Sequence, residues 1–262
     1  MSLLTITTIQ SNLIWEDKAA NLHILEQKIN AIEEKTEIVV LPEMFNTGFS
    51  MKPEQFAETM EGDSVEWMKR ISRQNGIVLT GSLMIEEAGK YFNRLIWMLP
   101  NGQVGIYDKR HLFAYAEEDN HYHAGNKRLI ASVKGWKINL QVCYDLRFPV
   151  WARQHAVEGE PEYDVLIYVA NWPERRSHAW KTLLCARAIE NQCYVVGVNR
   201  VGSDANNIYY SGNSLVIDPL GQVLYHMADE EDVNTITLQK EMLEDVRERF
   251  PFWKDADDFN VL

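Results

Sequence analysis

The chain has 262 residues and a formal net charge of −12, from 38 acidic and 26 basic side chains. That balance argues against nucleic acid and anionic membrane surfaces as partners, since both attract a basic footprint, and leaves room for an anionic small molecule in a local pocket. Hydrophobic residues at 46% suffice for a large core, and three cysteines (Cys143, Cys185, Cys193) do not read as a disulfide framework, which points to a reducing, cytoplasmic setting.

The start, Met1-Ser-Leu-Leu-Thr-Ile, lacks the basic and long apolar regions of a signal peptide. No apolar run approaches the roughly 20 residues that span a bilayer. In chain order, Leu4 to Ile9 reads as a strand, and Leu22, Leu25, Ile29 and Ile32 recur at helical spacing. Ile38 to Leu41 is a short buried strand stopped by Pro42. Asp63 or Ser64 caps a helix carrying Val65, Met68 and Ile71 on one face, Gly76 closes it, and Ile77 to Leu79 begins another strand. This βαβαβ opening predicts an α/β protein with a covered sheet.

Leu95 to Leu99, Gly102 to Tyr107 and Ile138 to Val142 read as strands joined by tight turns at Pro100-Asn-Gly102 and Lys134-Gly135. Between them, residues 109–126 form a polar loop with little periodicity, and loops of that length usually carry function or disorder. A strand over Val165 to Ala170, a helix through Trp180, Leu183, Leu184 and Ala188, and a strand over Tyr194 to Val198 follow. Further strands lie near 208–218 and 221–225. No linker or repeat interrupts the chain, so residues 1–262 read as a single domain.

Three strand ends offer chemistry. Leu140-Gln-Val-Cys143 ends an apolar run on a thiol, followed at once by Tyr-Asp-Leu-Arg-Phe-Pro149. A cysteine on such a corner suits a nucleophile, with the next backbone N–H able to stabilise an oxyanion; alone, it reads better as a small core residue. Val39-Val-Leu-Pro-Glu43 delivers a carboxylate suited to a general base, and Tyr107-Asp-Lys109 delivers an ammonium at the mouth of the polar loop. Taken singly, each of these reads as an ordinary solvated side chain.

The ordered set Glu43, Lys109, Cys143 resembles the nitrilase (carbon–nitrogen hydrolase) superfamily, whose catalytic glutamate, lysine and cysteine occur in that order. The matching patterns are Leu41-Pro-Glu-Met-Phe45, Asp108-Lys-Arg-His-Leu112 and Cys143-Tyr-Asp-Leu-Arg-Phe-Pro149. Ala170-Asn-Trp-Pro173 with Trp180, Ala186-Arg-Ala-Ile-Glu-Asn-Gln192 and Asn199-Arg-Val-Gly202 extend the likeness over nearly the whole chain. The resemblance implies a four-layer αββα sandwich, no metal and no organic cofactor, and a homodimer paired through helices near the site. Candidate interface pieces are the helix after Asn171-Trp-Pro173, Phe148-Pro-Val-Trp151 and the tail around Phe250-Pro-Phe-Trp253. It also implies a supporting glutamate in the loop before Gly125, either Glu118, which fits best, or the adjacent Glu117.

The implied chemistry is attack of Cys143 on an amide carbonyl with Glu43 as general base, Lys109 and the Tyr144 N–H at the oxyanion, and a thioester intermediate hydrolysed by water. The Cys143 and Asn171 segments look most like the ω-amidase branch, which deamidates 2-oxoglutaramate and 2-oxosuccinamate. Such a substrate needs a basic partner, with Arg147, Arg175 and Arg176 as candidates and Phe45 and Trp172 as apolar walls. Arg147 is equally suited to pair with Asp145. Nitrile or N-carbamoyl hydrolysis, a Cys–His dyad using His111 or His178, and an idle binding module on the same fold are the alternatives. A metal on His111, His121 and His123 with Glu117, Glu118 and Asp119 lacks recognised zinc spacing.

Overall fold

The computed structural model describes residues 2–157, 159–257 and 259. Strand β1 (Leu3–Gln10) leads to helix α1 (Lys18–Asn30) and β2 (Ile38–Val40). Then come α2 (Pro53–Phe56), α3 (Asp63–Asn75), β3 (Val78–Glu87), β4 (Lys90–Met98), β5 (Val104–Asp108) and the short α4 (Glu118–His121). The second half holds β6 (Ile130–Val133), β7 (Trp136–Val142), α5 (Pro149–Ala152) and a two-residue hairpin, β8 (Ala156–Val157) and β9 (Glu160–Pro161). It continues with β10 (Val165–Ala170), α6 (Ser177–Asn191), β11 (Tyr194–Asn199), β12 (Val201–Ser203), β13 (Tyr209–Ile217), β14 (Val223–Ala228), β15 (Asp232–Gln239) and α7 (Lys240–Arg249).

One sheet runs β15-β1-β2-β3-β4-β5 and the other β12-β13-β11-β10-β7-β6, with β14 paired to β13. Each has a parallel centre, β1-β2-β3 and β7-β10-β11, and antiparallel edges. Strand β2 shows why its run is continuously apolar. Ile38 and Val40 enter the cluster shared by the two sheets, while Val39 packs under α1 and α3 with Leu25, Ile29, Met68 and Ile71. A strand buried on both faces needs no polar alternation. Trp180, Leu184 and Ala188 of α6 cover the second sheet, giving the four layers αββα.

The structure departs locally from the sequence pattern. The cap of α3 comes from Glu58, whose carboxylate accepts from the N–H (2.7 Å) and hydroxyl (2.9 Å) of Ser64, not from Asp63 or Ser64 themselves. Strand β3 continues to Glu87 and forms a long hairpin with β4. Strands β6, β12 and β15 and helix α7 are additional elements; β15 pairs with β1 from Leu3↔Gln239 to Gln10↔Asp232 and closes the edge of the first sheet.

Candidate active site

The candidate side chains cluster just beyond the carboxyl ends of strands, where α/β sheets usually place their ligands. Glu43 lies three residues past β2, Lys109 follows β5, Cys143 follows β7 and Asn171 follows β10. The Lys109 end is set by Arg94, buried in β4, which grips Asp108 with two hydrogen bonds of 2.6 and 3.0 Å. Gly125 brings the polar loop back against this strand end: its N–H donates to the Lys109 carbonyl at 3.0 Å, and a Cβ there would sit 2.1 Å from the Asp108 carbonyl oxygen.

Cys143 begins a 3₁₀ turn (Cys143–Arg147) at φ +46°, a left-handed backbone that disfavours side chains. Asp145 in that turn is fully buried and anchors it. One carboxylate oxygen accepts from the Tyr107 hydroxyl (2.7 Å) and the Val142 N–H (3.0 Å). The other accepts from His111, through its main-chain N–H (2.9 Å) and Nδ1 (2.8 Å). The carboxylate thereby ties the thiol's turn to the segment that carries Lys109.

The polar centre is buried. Glu43, Lys109, Glu118 and Asn93 have no exposed surface. Lys109 Nζ donates to Glu43 Oε1 (2.9 Å) and to both oxygens of Glu118 (3.1 and 2.9 Å), one oxygen for each N–H. Asn93 Nδ2 reaches Glu43 Oε1 (2.8 Å) and Glu118 Oε1 (3.1 Å). Asn171 holds the other side of Glu43: its main-chain N–H donates to Oε2 at 2.8 Å and its Nδ2 to the Glu43 carbonyl at 2.6 Å. The Phe113 N–H donates to Glu118 Oε2 at 2.6 Å.

Cys143 Sγ lies 4.0 Å from the Asn171 carbonyl. Burial first, and then the charge of Glu43, push the thiol well above its usual range; Lys109 opposes this and is outweighed. Burial alone pulls Lys109 down, but Glu118, Glu43 and Cys143 overcome it and hold the ammonium charged. Burial and the neighbouring Glu43 raise Glu118, with Lys109 pulling the other way.

Cys143 lines a cavity together with Phe49, Phe113, Ala116, Tyr144, Arg147, Asn171, Trp172, Pro173, Arg176, Ile208 and Tyr210. Phe49 also lies over the Lys109 ammonium, 5.1 Å from ring centroid to nitrogen. Two guanidinium groups belong to the lining, each against an aromatic face: Arg147 over Trp172 at 5.0 Å and Arg176 over Phe113 at 5.0 Å. Among the described residues neither forms an ion pair with a carboxylate of the chain. Burial, the largest influence, lowers Arg176, and nearby Arg147 adds to it.

The structure brings together Glu43, Lys109, Glu118 and Cys143, and sets Tyr144, Arg147 and Trp172 around the cavity. It corrects three expectations. Phe45 does not wall the cavity: it packs in the core against Trp67 with centroids 5.9 Å apart, because Met44 turns the chain at φ +43° and Phe49 takes the wall position. Arg175 is exposed and off the lining, while Arg176, one step on in a 3₁₀ turn, faces it. Asp145 is occupied by Tyr107, His111 and Val142, so it is not Arg147's partner.

Glu117 is exposed at the left-handed residue before α4, whereas Glu118 is the buried glutamate of the pair. The His111 ring is engaged by Asp145 and stacks on Phe148 at 3.9 Å, and His178 is exposed at the start of α6. Among the described residues no three His, Cys, Asp or Glu side chains gather as a metal-binding group. Residues that the sequence pattern did not single out are Asn93, Phe49, Phe113 and Tyr210. An aromatic residue beyond Gly48 was the one available hint for Phe49.

The carbon–nitrogen hydrolase family model matches residues 5–248. The chain is 44% identical over 260 residues, 98% of each chain, to the omega-amidase YafV of Escherichia coli K12. It is 32% identical over 254 residues, 96% of each, to the 2-oxoglutaramate amidase of Bacillus subtilis 168. The crystal structure of XC1258 from Xanthomonas campestris, a CN-hydrolase superfamily protein with an arsenic adduct in its active site, superimposes with a TM-score of 0.97 at 43% identity over all of both chains. The chain belongs to the carbon–nitrogen hydrolase family, enzymes of the nitrilase superfamily.

Proposed function

We propose that the protein is an ω-amidase that releases ammonia from small ω-amides of dicarboxylic keto acids, 2-oxoglutaramate and 2-oxosuccinamate. The observation that carries this reading is a pair of guanidinium groups, Arg147 and Arg176, that have no carboxylate partner among the described residues and line the same cavity as Cys143. Their free charges suit a substrate carboxylate, and the sulfur suits the amide carbon at its other end.

In the reaction, Glu43 takes the thiol proton as Sγ attacks the amide carbon. The Lys109 ammonium and the Tyr144 N–H stabilise the oxyanion, and losing one such donor costs about 3–4 kcal/mol. Collapse of the adduct breaks the C–N bond, Glu43 protonates the departing ammonia, and a thioester remains. Glu43 then deprotonates a water that attacks the thioester; the C–S bond breaks and the proton returns to sulfur as the free acid leaves. Glu118 orients Lys109. Residues 1–262 act as one domain, without metal or organic cofactor.

The enzyme works in the cytoplasm as a homodimer. Three segments support the pairing surface, each with a large apolar side chain turned outward: Val150, Ile189 and Phe252, at 54, 56 and 64% exposure. They are joined in one region, through Arg153 on the Glu190 carbonyl and through Gln192 with Phe250 and Trp253. Light scattering on the wild type and on Ile189→Asp reads the assembly, a monomeric wild type being the contrary result.

A panel of ω-amides, nitriles and N-carbamoyl amino acids scored for ammonia release, with Cys143→Ala as control, tests the activity. The expected winner is 2-oxoglutaramate. Preference for a nitrile or carbamoyl substrate would overturn the assignment.

A further inference from the structure

Asn93 sits in the middle of β4, fully buried, and makes three contacts at the polar centre. Its main-chain carbonyl accepts from the Lys109 N–H at 3.0 Å, and its single amide nitrogen serves two carboxylates, Glu43 at 2.8 Å and Glu118 at 3.1 Å. Both carboxylates accept hydrogen bonds, so the NH₂ end must face them. The other end has nothing: Oδ1 is buried without a hydrogen-bond partner among the described residues. A buried orphan acceptor is unfavourable, and a side chain present only to fill space has no need of one. What distinguishes asparagine here is the use made of both amide hydrogens.

Lys109 cannot supply the same service alone. Its three hydrogens are already divided, one to Glu43 and two to Glu118, and the two glutamates share this one cation. Resting on the amidase reading above, we infer that Asn93 is a positioning residue that keeps Glu43 and Glu118 as two separately oriented carboxylates and so fixes the direction in which Glu43 meets the Cys143 thiol. The residue does not line the cavity, so its effect falls on turnover and not on substrate affinity.

Two variants test this. Asn93→Ala removes both donors, and kcat for 2-oxoglutaramate is expected to fall about 10- to 100-fold with KM changed less than about twofold. Asn93→Asp keeps the shape but sets a third carboxyl group between two others, and is expected to be more damaging than alanine. If Asn93→Asp proves milder than Asn93→Ala, or if the loss appears in KM, shape alone explains the residue and the inference is overturned. The rate of Cys143 alkylation by iodoacetamide, measured by mass spectrometry, needs no substrate. It is expected to drop about tenfold in Asn93→Ala, since the same lost donors misdirect the base. An unchanged alkylation rate in a folded Asn93→Ala protein overturns the inference even if the enzyme's substrate is misassigned, and wild-type failure on every amide with slowed alkylation in the variant faults the substrate assignment instead.

Discussion

Asp145 binds His111 twice, at the main-chain nitrogen and at the ring, and this double contact welds the turn bearing the sulfur to the strand end bearing the ammonium. Replacing Asp145 with alanine leaves four donors buried or half-buried without an acceptor. Stability is expected to drop by about 3–5 kcal/mol, read as the shift of a urea or guanidinium unfolding midpoint. A change under 1 kcal/mol would show that water replaces the carboxylate.

Glu43→Gln keeps the size of the side chain and removes the proton acceptor. Ammonia release is expected to fall by about 10³-fold or more, whereas His111→Ala is expected to lose no more than about tenfold, through a loosened Asp145. The reverse order, with His111 indispensable and Glu43→Gln mild, identifies a Cys–His dyad in place of the glutamate.

Arg176→Ala and Arg147→Ala are expected to raise KM for 2-oxoglutaramate by about 10- to 100-fold each, the range for losing a hydrogen bond to a charged group. Butyramide, with no carboxylate, separates charge recognition from cavity shape: its turnover should be nearly untouched. Arg175→Ala serves as the neighbouring control with little effect, since that side chain is exposed. Equal losses on the charged and uncharged amides would deny the guanidinium pair its assigned role.

The raised Cys143 thiol carries a pH dependence of stability. Because its folded value lies above the unfolded one, the folded state holds a proton that the unfolded chain releases near pH 8.5. That contribution is complete below the unfolded value and is lost as pH climbs beyond it. Relative to Cys143→Ser, which has no such proton, the wild type is expected to lose stability between about pH 8 and pH 10. Parallel curves for the two proteins across that interval would contradict the assignment.

Much of the site is legible in the sequence because an apolar run that stops at a polar residue marks a strand end, and Glu43, Lys109 and Cys143 each do so. Glu118 needed the family pattern, since nothing in residues 109–126 distinguishes it from Glu117 until the loop folds. Asn93 is hidden for the opposite reason: it stands inside a strand, between Phe92 and Arg94, where a polar residue looks like a solvent-facing position. Phe45 and Arg175 failed by small local rotations, at a left-handed Met44 and within a 3₁₀ turn, which residue spacing does not encode. The partner of β1 was equally unreadable, because β15 approaches it from the far end of the chain.

The reactive centre straddles the seam of the sandwich. Glu43, Asn93 and Lys109 ride on one sheet, Cys143 and Asn171 on the other. A chain with a single sheet assembled would own a base without its sulfur, or a sulfur without its base. Gathering these side chains at one place thus requires both sheets to be formed and packed together. Modification of that thiol by a mild electrophile would then serve as a clock for how soon the two halves meet.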